Sequence, residues 1–221
     1  MKIAVVTGSS RGIGREIAAG LKKAGLKVIG TQRTPSDNSD NDIALELSSR
    51  ASIEHAAEKI SGMVDHIDIL VNNAAVLLDD EGQELNADMS DLLSETLKTN
   101  VVGTHLLTEH LLPLLRKSPD GARVINLSSL AGQLTSMDAF APAYSISKTA
   151  LNALTRQQAA HHRAEGITFN CMSPGWCRTE MGGPSAPRTP AEGAQTALWL
   201  ALKAPSELSG KFFADNEEIP W

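Results

Sequence analysis

The chain has 221 residues, of which 42% are hydrophobic and only 4% aromatic, and this composition excludes a disordered tail and predicts one folded domain over residues 1–221. The formal net charge of −6 argues against nucleic acid as a partner, because a phosphate backbone repels an acidic protein. The two cysteines, Cys171 and Cys177, are too few for a zinc or disulfide framework, so no metal site is expected and a reducing compartment is favoured.

Short continuous apolar runs alternate with longer helical patterns along the chain. Continuous runs are typical of strands buried on both faces of a parallel sheet, and they lie at Ile3–Val6, Val28–Ile29, Ile67–Val71, Val124–Leu127 and Ile167–Met172. The first helix is marked by Ile13, Ile17 and Leu21 on one face, and Gly25 ends it. Further helices are predicted over residues 52–61, 90–116, 143–163 and 190–203. This alternation predicts an α/β protein with a doubly wound parallel sheet flanked by helices, the Rossmann fold.

No segment predicts a membrane span or a targeting signal. The first apolar run, Ile3–Val6, is too short for a signal peptide and leads directly into a turn. The longest apolar candidate, Leu106–Leu115, is broken by charged residues and a proline. We therefore expect a cytoplasmic protein with no membrane partner. Residues 34–42 and 182–190 are predicted to be loops.

The segment Thr7–Gly14 carries three glycines between the first strand and the first helix. Gly8 permits the tight turn out of the strand, Gly12 lets the backbone approach a pyrophosphate, and Gly14 permits close packing of helix on strand. The N-terminus of the helix then presents free N–H groups and a positive dipole end to the phosphates. The segment predicts a dinucleotide site, with an ordinary glycine-containing loop as the alternative.

The end of the second strand indicates which dinucleotide binds. A carboxylate at this point would hold the two ribose hydroxyls of NAD, but the chain has Thr31, Gln32 and Arg33. Arg33 can pair with the 2′-phosphate of NADP(H), and Arg11 from the glycine turn could reach the same phosphate. The alternative is that Arg33 is only a solvated loop arginine. The sequence therefore favours NADP(H).

Tyr144 and Lys148 lie four positions apart in a helical pattern, so both side chains share one face. A free tyrosine, with a pKa of about 10, is a poor acid at neutral pH. A neighbouring ammonium stabilises the phenolate and lowers that pKa, so a proton can be delivered to a carbonyl oxygen as hydride arrives. Tyr144 is the only tyrosine of the chain. A Tyr-x-x-x-Lys spacing alone is commonly incidental, and its meaning depends on its neighbours.

Two polar positions accompany this pair. Ser129, preceded by Ser128, follows the run Val124–Leu127 and so lies at the carboxyl end of a strand, where open α/β sheets bind ligands. A serine hydroxyl there can hydrogen-bond a substrate oxygen as negative charge develops. Asn100 lies in an otherwise apolar helical stretch, where it is costly without a partner. The competing interpretation of the two serines is simple loop or cap chemistry. For Asn100 the competing interpretations are solvent exposure or a water-mediated link.

Taken together, these motifs resemble those of the short-chain dehydrogenase/reductase family, in the family's order and over nearly the whole chain. They are Thr7-Gly-x-x-x-Gly-x-Gly14, Asn72-Asn73-Ala74-Ala75, Asn100, Ser129, Tyr144-x-x-x-Lys148, and Pro174-Gly175 with Thr179. The tail looks like that of the carbonyl-reductase branch, with Pro174–Gly183, Trp199-Leu-Ala201 and Ile219-Pro-Trp221.

The resemblance implies roles for these residues. Tyr144 would be the general acid/base, Lys148 would bind the nicotinamide ribose and tune Tyr144, and Ser129 would orient and polarise the carbonyl. Asn100 would hold a water that connects Lys148 to solvent. The other implied contacts to the cofactor are Gly8, Ser10, Arg11, Gly12, Ile13, Gly14, Arg33, Glu46, Leu47, Asn73, Ala74, Pro174, Gly175, Cys177 and Thr179.

The chain departs from the family pattern in three places. Ala75 replaces the usual glycine of the Asn-Asn-Ala-Gly motif, and Glu46 replaces the usual Asp beside the adenine. The interval between Ser129 and Tyr144 is slightly longer than usual, which predicts a somewhat enlarged loop at Gln133–Pro142. A fairly open substrate pocket is expected, bordered by Leu134, Met137, Phe140, Trp176 and Met181.

The predicted function is the NADPH-dependent reduction of an aldehyde or ketone to an alcohol, or the reverse oxidation. One alternative is a non-catalytic NADP sensor or scaffold protein, although such a protein would be expected to lose Tyr144 or Lys148. Another is epimerisation or dehydration of a nucleotide sugar, which the family's longer chains perform with a substrate domain and a Gly-x-x-Gly-x-x-Gly turn. The resemblance also implies a homo-oligomer, a dimer or tetramer, formed by the helices at 90–116 and 143–163.

Overall fold

The strands of a computed structural model, which describes residues 1–35, 42–79, 86 and 89–221, form one sheet. Within these residues the strand order is β3-β2-β1-β4-β5-β6-β7-β8, and every pairing except the last, β7 with β8, is parallel. The strands are β1 (Ile3–Thr7), β2 (Lys27–Gln32), β3 (Asp42–Ala44), β4 (Ile69–Asn72), β5 (Ala122–Leu127), β6 (Ile167–Ser173), β7 (Phe212–Ala214) and β8 (Glu217–Glu218).

Helices cover both faces of this sheet. They are α1 (Gly12–Lys23), α2 (Arg50–Met63), α3 (Ser90–Leu97), α4 (Thr104–Leu115), α5 (Pro142–His161), α6 (Pro190–Gly193) and α7 (Gln195–Leu202). A π-helical segment, Lys98–Gly103, joins α3 to α4 without a break. Strand–helix alternation around a parallel sheet is the doubly wound α/β arrangement that the sequence predicts.

Two separate apolar cores lie on the two faces of the sheet. On one face, α2 and α4 bury side chains that include Ile60 and Leu111. On the other face, α1 and α7 bury side chains that include Ile17 and Leu200. Burial of each such side chain is worth about 1.5–3 kcal/mol. The central strands carry an apolar residue toward each core in turn, which explains their continuous apolar runs.

The five predicted strands and the predicted helices are all present, with three differences. The sequence analysis missed β3, β7 and β8, which are two or three residues long. The predicted helix 90–116 contains the π-helical segment, and the predicted helix 190–203 is divided into α6 and α7.

The predicted loops agree with the structure within the described residues. Residues 182–189 contain no helix or regular strand, and α6 begins at Pro190. The predicted loop 34–42 falls largely outside the described residues, and its last residue, Asp42, begins β3. In the described part of the chain, no helix has both the length and the apolar character needed to cross a bilayer.

Candidate functional site

The carboxyl ends of β1, β4, β5 and β6 emerge at one edge of the sheet, because these four strands are parallel. The glycine turn follows β1, the Asn-Asn-Ala-Ala segment follows β4, Ser128 and Ser129 follow β5, and Pro174 follows β6. Strand register therefore gathers, at a single edge, motifs that are far apart in the chain. Open α/β sheets bind their ligands at this edge.

The glycine turn has the backbone that a phosphate site needs. Gly8 and Gly12 have φ angles of +65° and +53°, in the left-handed region that favours glycine. A Cβ on Gly14 would lie 2.2 Å from the carbonyl oxygen of Gly8, so only glycine allows this packing of α1 against the turn. The side chain of Arg11, which precedes α1, makes no capping hydrogen bond. The first N–H groups of α1 are thus left for a ligand.

Thr7, the first residue of the glycine motif, joins this turn to the segment after β4, a contact that the sequence analysis does not predict. Its Oγ1 accepts hydrogen bonds from the N–H groups of Asn73 and Ala74, both at 2.9 Å. The side-chain amide of Asn73 donates in return to the carbonyl oxygens of Thr7 at 2.8 Å and Gly8 at 3.1 Å. Asn73 and Ala74 therefore lie directly beside the glycine turn.

The end of β2 carries both an arginine and a carboxylate. Arg33 is exposed and forms no ion pair with any described residue. The carboxylate of Asp42 accepts a hydrogen bond from the Gln32 amide at 3.3 Å. A Cβ on Gly30 would lie 2.5 Å from this carboxylate, so Asp42 packs closely on the strand. The sequence analysis considered only residues 31–33 and missed this carboxylate because it enters from the neighbouring strand.

Glu46 and Leu47, predicted beside the adenine, follow β3. The Glu46 carboxylate accepts hydrogen bonds from the N–H and the hydroxyl of Ser48, at 3.2 and 3.0 Å. Leu47 is buried, and its carbonyl oxygen would lie 2.1 Å from a Cβ on Gly103. The loop that carries both residues is thus packed against the π-helical segment.

The segment after β6 lies against the glycine turn. Gly175 has a φ of +71°, and its N–H donates to Ser173 Oγ at 3.2 Å. A Cβ on Gly12 would lie 3.1 Å from the methyl group of Thr179, so the two segments touch. Glu180, which the sequence analysis did not single out, forms an ion pair with Arg11 across the same contact.

Cys177, which the resemblance places beside the nicotinamide, is 4% exposed. Its Sγ donates to the carbonyl oxygen of Pro174 at 3.3 Å. A Cβ on Gly193 would lie 2.5 Å from this sulfur. The thiol is therefore packed between its own segment and α6, which fixes the backbone from Pro174 to Cys177.

Tyr144 and Lys148 lie on one face in the first turns of α5, as the spacing predicts. The Lys148 side chain is 2% exposed, its Nζ donates to the carbonyl oxygen of Leu127 at 2.8 Å, and it lies 5.4 Å from the centre of the Tyr144 ring. Burial lowers the pKa of Lys148 to about 8. The ammonium thus lies between the end of β5 and the phenol ring.

The pKa of Tyr144 moves in the direction opposite to the one that the sequence analysis expects. Burial raises it to about 12, and a hydrogen bond with Ser129 offsets only part of this rise. The expectation assumed that the Lys148 charge would decide the pKa. Withdrawal of the phenol from water outweighs it, since burial disfavours the charged form and the ammonium is directed to Leu127. The phenol of Tyr144 is therefore protonated at neutral pH.

The structure distinguishes the two serines after β5. Ser128 is buried, and its hydroxyl donates to the carbonyl oxygen of Lys148 at 3.3 Å. Ser129 is half-buried, hydrogen-bonds Tyr144, and accepts the N–H of Ala131 at 3.1 Å. Ser129 is thus the serine that shares the site with Tyr144.

Asn100 lies within the π-helical segment and is 1% exposed, so solvent exposure is the wrong explanation for it. Its Oδ1 accepts the N–H of Val76 at 2.8 Å, and its Nδ2 donates to the carbonyl oxygen of Val76 at 2.9 Å. The same Nδ2 also donates to Ser147 Oγ at 3.0 Å. Asn100 therefore ties the segment after β4 to α5, and π-helical turns of this kind frequently occur at functional sites.

Of the residues predicted to border the substrate pocket, Met137, Trp176 and Met181 are exposed, with 38%, 56% and 43% of their surface accessible. Leu134 lines a cavity of about 190 Å³ beside α5, which it shares with Asn152 and Trp221. The tail is held there, because Gln133 donates to the carbonyl oxygen of Pro220 at 2.8 Å and the Trp221 ring stacks on Phe212. These contacts fasten the beginning of the Gln133–Pro142 loop.

Comparison with known proteins gives consistent matches. The family model described as short chain dehydrogenase matches residues 2–189. The 3-oxoacyl-[acyl-carrier-protein] reductase FabG of Aquifex aeolicus is 36% identical over 194 residues, which cover 81% of this chain and 75% of that protein. The NADPH-bound carbonyl reductase from chicken fatty liver superposes with a TM-score of 0.89 at 27% identity, covering 100% of both chains. The carbonyl reductase Sniffer of Drosophila melanogaster gives 0.88 at 27% identity, covering 100% of this chain and 99% of the other.

Proposed function

The chain belongs to the short-chain dehydrogenase/reductase family of oxidoreductases, and from this premise we propose that it reduces the carbonyl group of an aldehyde or ketone with NADPH, or catalyses the reverse oxidation. The observation that carries the proposal is the meeting of Tyr144, Lys148 and Ser129 at the carboxyl edge of the sheet, from which the glycine turn also emerges. The similar carbonyl reductases support the same assignment.

The residues at the glycine turn fit a dinucleotide. A side chain at position 12 would occupy the space between the glycine turn and Thr179, which glycine leaves open. The start of α1 offers uncapped N–H groups to a pyrophosphate. Asn73 and Ala74 would line the adenosine ribose, and the segment from Pro174 to Thr179 would hold the nicotinamide. The bound cofactor supplies the hydride, and all proton handling is left to the chain.

Tyr144 would supply the proton. With a pKa of about 12 its phenol is protonated at neutral pH but is a weaker acid than a free tyrosine, so we expect donation to a carbonyl oxygen to depend on stabilisation of the phenolate by its neighbours. Ser129, hydrogen-bonded to the same phenol, would hold that oxygen as negative charge develops. Lys148, whose pKa is about 8, carries a positive charge below that pH and can stabilise the phenolate once the proton has left. In the oxidation direction Tyr144 would accept the proton from the alcohol.

The non-catalytic alternative is less well supported, because a sensor needs the glycine turn but has no use for a proton donor. Here Tyr144, Lys148 and Ser129 are all present and lie together. Incubation of the protein with NADPH and a panel of aldehydes and ketones tests the choice, with loss of the reduced-nicotinamide absorbance as the readout. NADPH binding without turnover of any carbonyl, and without NADP⁺-dependent oxidation of the matching alcohols, would establish the sensor.

The preference for NADP(H) over NAD(H) is also part of the proposal. Exposed Arg33 at the end of β2 is placed to pair with a 2′-phosphate, whereas Asp42 on the adjacent strand would oppose it. The amide of Gln32 donates to the Asp42 carboxylate, and Arg33 forms no ion pair with any described residue, so its guanidinium is available for a 2′-phosphate.

We expect Arg33→Ala to weaken NADPH binding by about tenfold or more, which corresponds to about 1.5–3 kcal/mol for a charge-assisted hydrogen bond, and to leave NADH binding almost unchanged. Titration of both reduced cofactors by nicotinamide fluorescence measures the two dissociation constants. Equal losses for NADPH and NADH would show that Arg33 does not contact the 2′-phosphate.

Three broader features belong to the same proposal. One domain over residues 1–221 is supported by a sheet whose strands run from Ile3 to Glu218. A homo-oligomer formed through the helices at 90–116 and 143–163 is also proposed, and Val102 in the first of them is 49% exposed. A cytoplasmic location is supported by Cys171 and Cys177, both of which are free thiols.

A further inference from the structure

The carboxylate of Asp79 has no part in the chemistry proposed above, yet it is fully buried. It accepts the N–H of Ala143 at 2.6 Å and the N–H of Tyr144 at 3.2 Å. No described lysine, arginine or histidine forms an ion pair with it. Since burying a carboxylate is costly unless it is well hydrogen-bonded, these two N–H groups are what keep Asp79 in place.

The start of α5 needs this carboxylate. The first N–H groups of any helix lack partners within the helix, and Pro142 at the first position has no N–H to satisfy. The preceding residue, Ala141, has no side-chain oxygen to act as a cap and is held in the left-handed region at a φ of +38°. Asp79 supplies the missing cap from a loop after β4, and its negative charge suits the positive end of the helix.

The segment that ends in Asp79, residues 74–79, is fixed at three points, and we refer to it as the strap. At its beginning, the N–H of Ala74 donates to Thr7 at the glycine turn. In its middle, the amide of Asn100 binds both the N–H and the carbonyl oxygen of Val76. At its end, Asp79 binds the start of α5. The strap thus connects the nucleotide turn to the helix that carries the proton donor.

The main chain of Tyr144 is held on both sides by this arrangement. Its N–H donates to Asp79, and its carbonyl oxygen accepts the hydroxyl of Ser147 at 2.7 Å. Ser147 in turn accepts a hydrogen bond from Asn100, which also clamps the strap. The main-chain N–H of Tyr144 is therefore held by the Asp79 carboxylate, and its main-chain carbonyl oxygen is held by the Ser147 side chain.

We propose that Asp79 is a positioning residue that sets the place of Tyr144 relative to the bound cofactor. The inference rests on the proposed function, since it concerns the same proton donor. Asp79 touches neither reactant, so its loss displaces the phenol and leaves the glycine turn intact. A displacement of about 1 Å in a reacting group costs about 100-fold in rate. Removal of the Asp79 carboxylate should therefore lower kcat and leave the affinity for NADPH unchanged.

The experiment compares Asp79→Ala and Asp79→Asn with the same two changes at Asp68. Asp68 is a matched control, because it is also a buried aspartate whose carboxylate accepts a backbone N–H, that of Ile3 at 2.7 Å. It directly precedes β4, at the amino edge of the sheet, which is opposite to the carboxyl edge that holds Tyr144. We expect Asp79→Ala to lower kcat by about 100-fold with NADPH affinity unchanged. Asp79→Asn retains one amide oxygen as an acceptor and should keep an intermediate kcat. The Asp68 variants should lose thermal stability and keep the wild-type kcat.

A second readout is independent of activity. Because Tyr144 is the only tyrosine, labelling the protein with isotope-enriched tyrosine gives a single backbone amide signal by NMR. Hydrogen exchange at this amide should accelerate in both Asp79 variants and stay at the wild-type rate in the Asp68 variants.

The outcomes separate the two proposals. A wild-type protein that turns over no carbonyl would refute the proposed function, while unchanged exchange at the Tyr144 amide in the Asp79 variants would refute the capping by itself. An active wild type whose Asp79 variants keep full kcat would overturn the positioning role. If Asp79→Ala does not fold, Asp79→Asn makes the same comparison.

Discussion

Replacement of Tyr144 by phenylalanine is expected to lower kcat for carbonyl reduction by about 100- to 10,000-fold, the usual contribution of general acid catalysis. The change removes only the hydroxyl and keeps the ring against Lys148. NADPH binding should therefore be nearly intact. Steady-state turnover gives kcat, and a fluorescence titration of NADPH gives the dissociation constant of the variant.

The same variant also tests whether Ser129 can replace the phenol. Ser129 hydrogen-bonds Tyr144, so it would be the nearest alternative donor if the proton came from elsewhere. The comparison is completed by measuring kcat for Ser129→Ala and for the double variant with Tyr144→Phe and Ser129→Ala. Near-normal turnover in Tyr144→Phe would show that the assignment of the proton donor is wrong, whichever carbonyl is used.

The second large effect is expected from Gly14→Ala. The new methyl group would lie 2.2 Å from the carbonyl oxygen of Gly8 and 2.4 Å from the amide nitrogen of Asn73, so the backbone of the turn has to move. Overpacking of this kind costs about 1–3 kcal/mol. Because the strain falls on the turn that we propose to bind the pyrophosphate, NADPH affinity should fall by about 10- to 100-fold, as measured by the same fluorescence titration.

Gly62→Ala is the matched control for this prediction. Gly62 lies near the end of α2, and a Cβ there would meet no atom within 4 Å. Alanine in place of a helical glycine should raise the unfolding free energy by about 0.5–1 kcal/mol and leave NADPH affinity unchanged. Gly14→Ala protein that is folded and binds NADPH as tightly as Gly62→Ala would rule out a phosphate site at the turn.

The sequence predicts the fold well where long patterns carry the signal. The buried parallel strands β1, β4, β5 and β6 appear as continuous apolar runs because both faces are covered. The pattern fails for short edge strands: β8, Glu217–Glu218, is two exposed residues that no apolar period can reveal. Helical periodicity also does not distinguish an α-helix from the π-helical segment at Lys98–Gly103, since both bury one face.

The candidate site follows the same division. Glycine spacing and the Tyr144/Lys148 interval are local patterns, and they predict what the structure brings together. The contacts of Thr7 and Asp79 link residues more than sixty positions apart, and in sequence Asp79 resembles any other loop aspartate. The sequence analysis predicts a lowered pKa for Tyr144, whereas burial raises it. The prediction is wrong because a sequence does not show how far the phenol is buried or where the Lys148 ammonium is directed.

The ion pair between Arg11 and Glu180 has a consequence for the proposed cofactor binding at the glycine turn. It joins the glycine turn near one end of the chain to the segment after β6, and the two side chains keep 56% and 71% of their surface in water. Pairs this exposed contribute little to stability and are screened by salt. Under the proposed function, a contact that breaks and reforms this easily would allow repeated entry and release of a cofactor, while the hydrogen bonds between Thr7 and Asn73 stay in place.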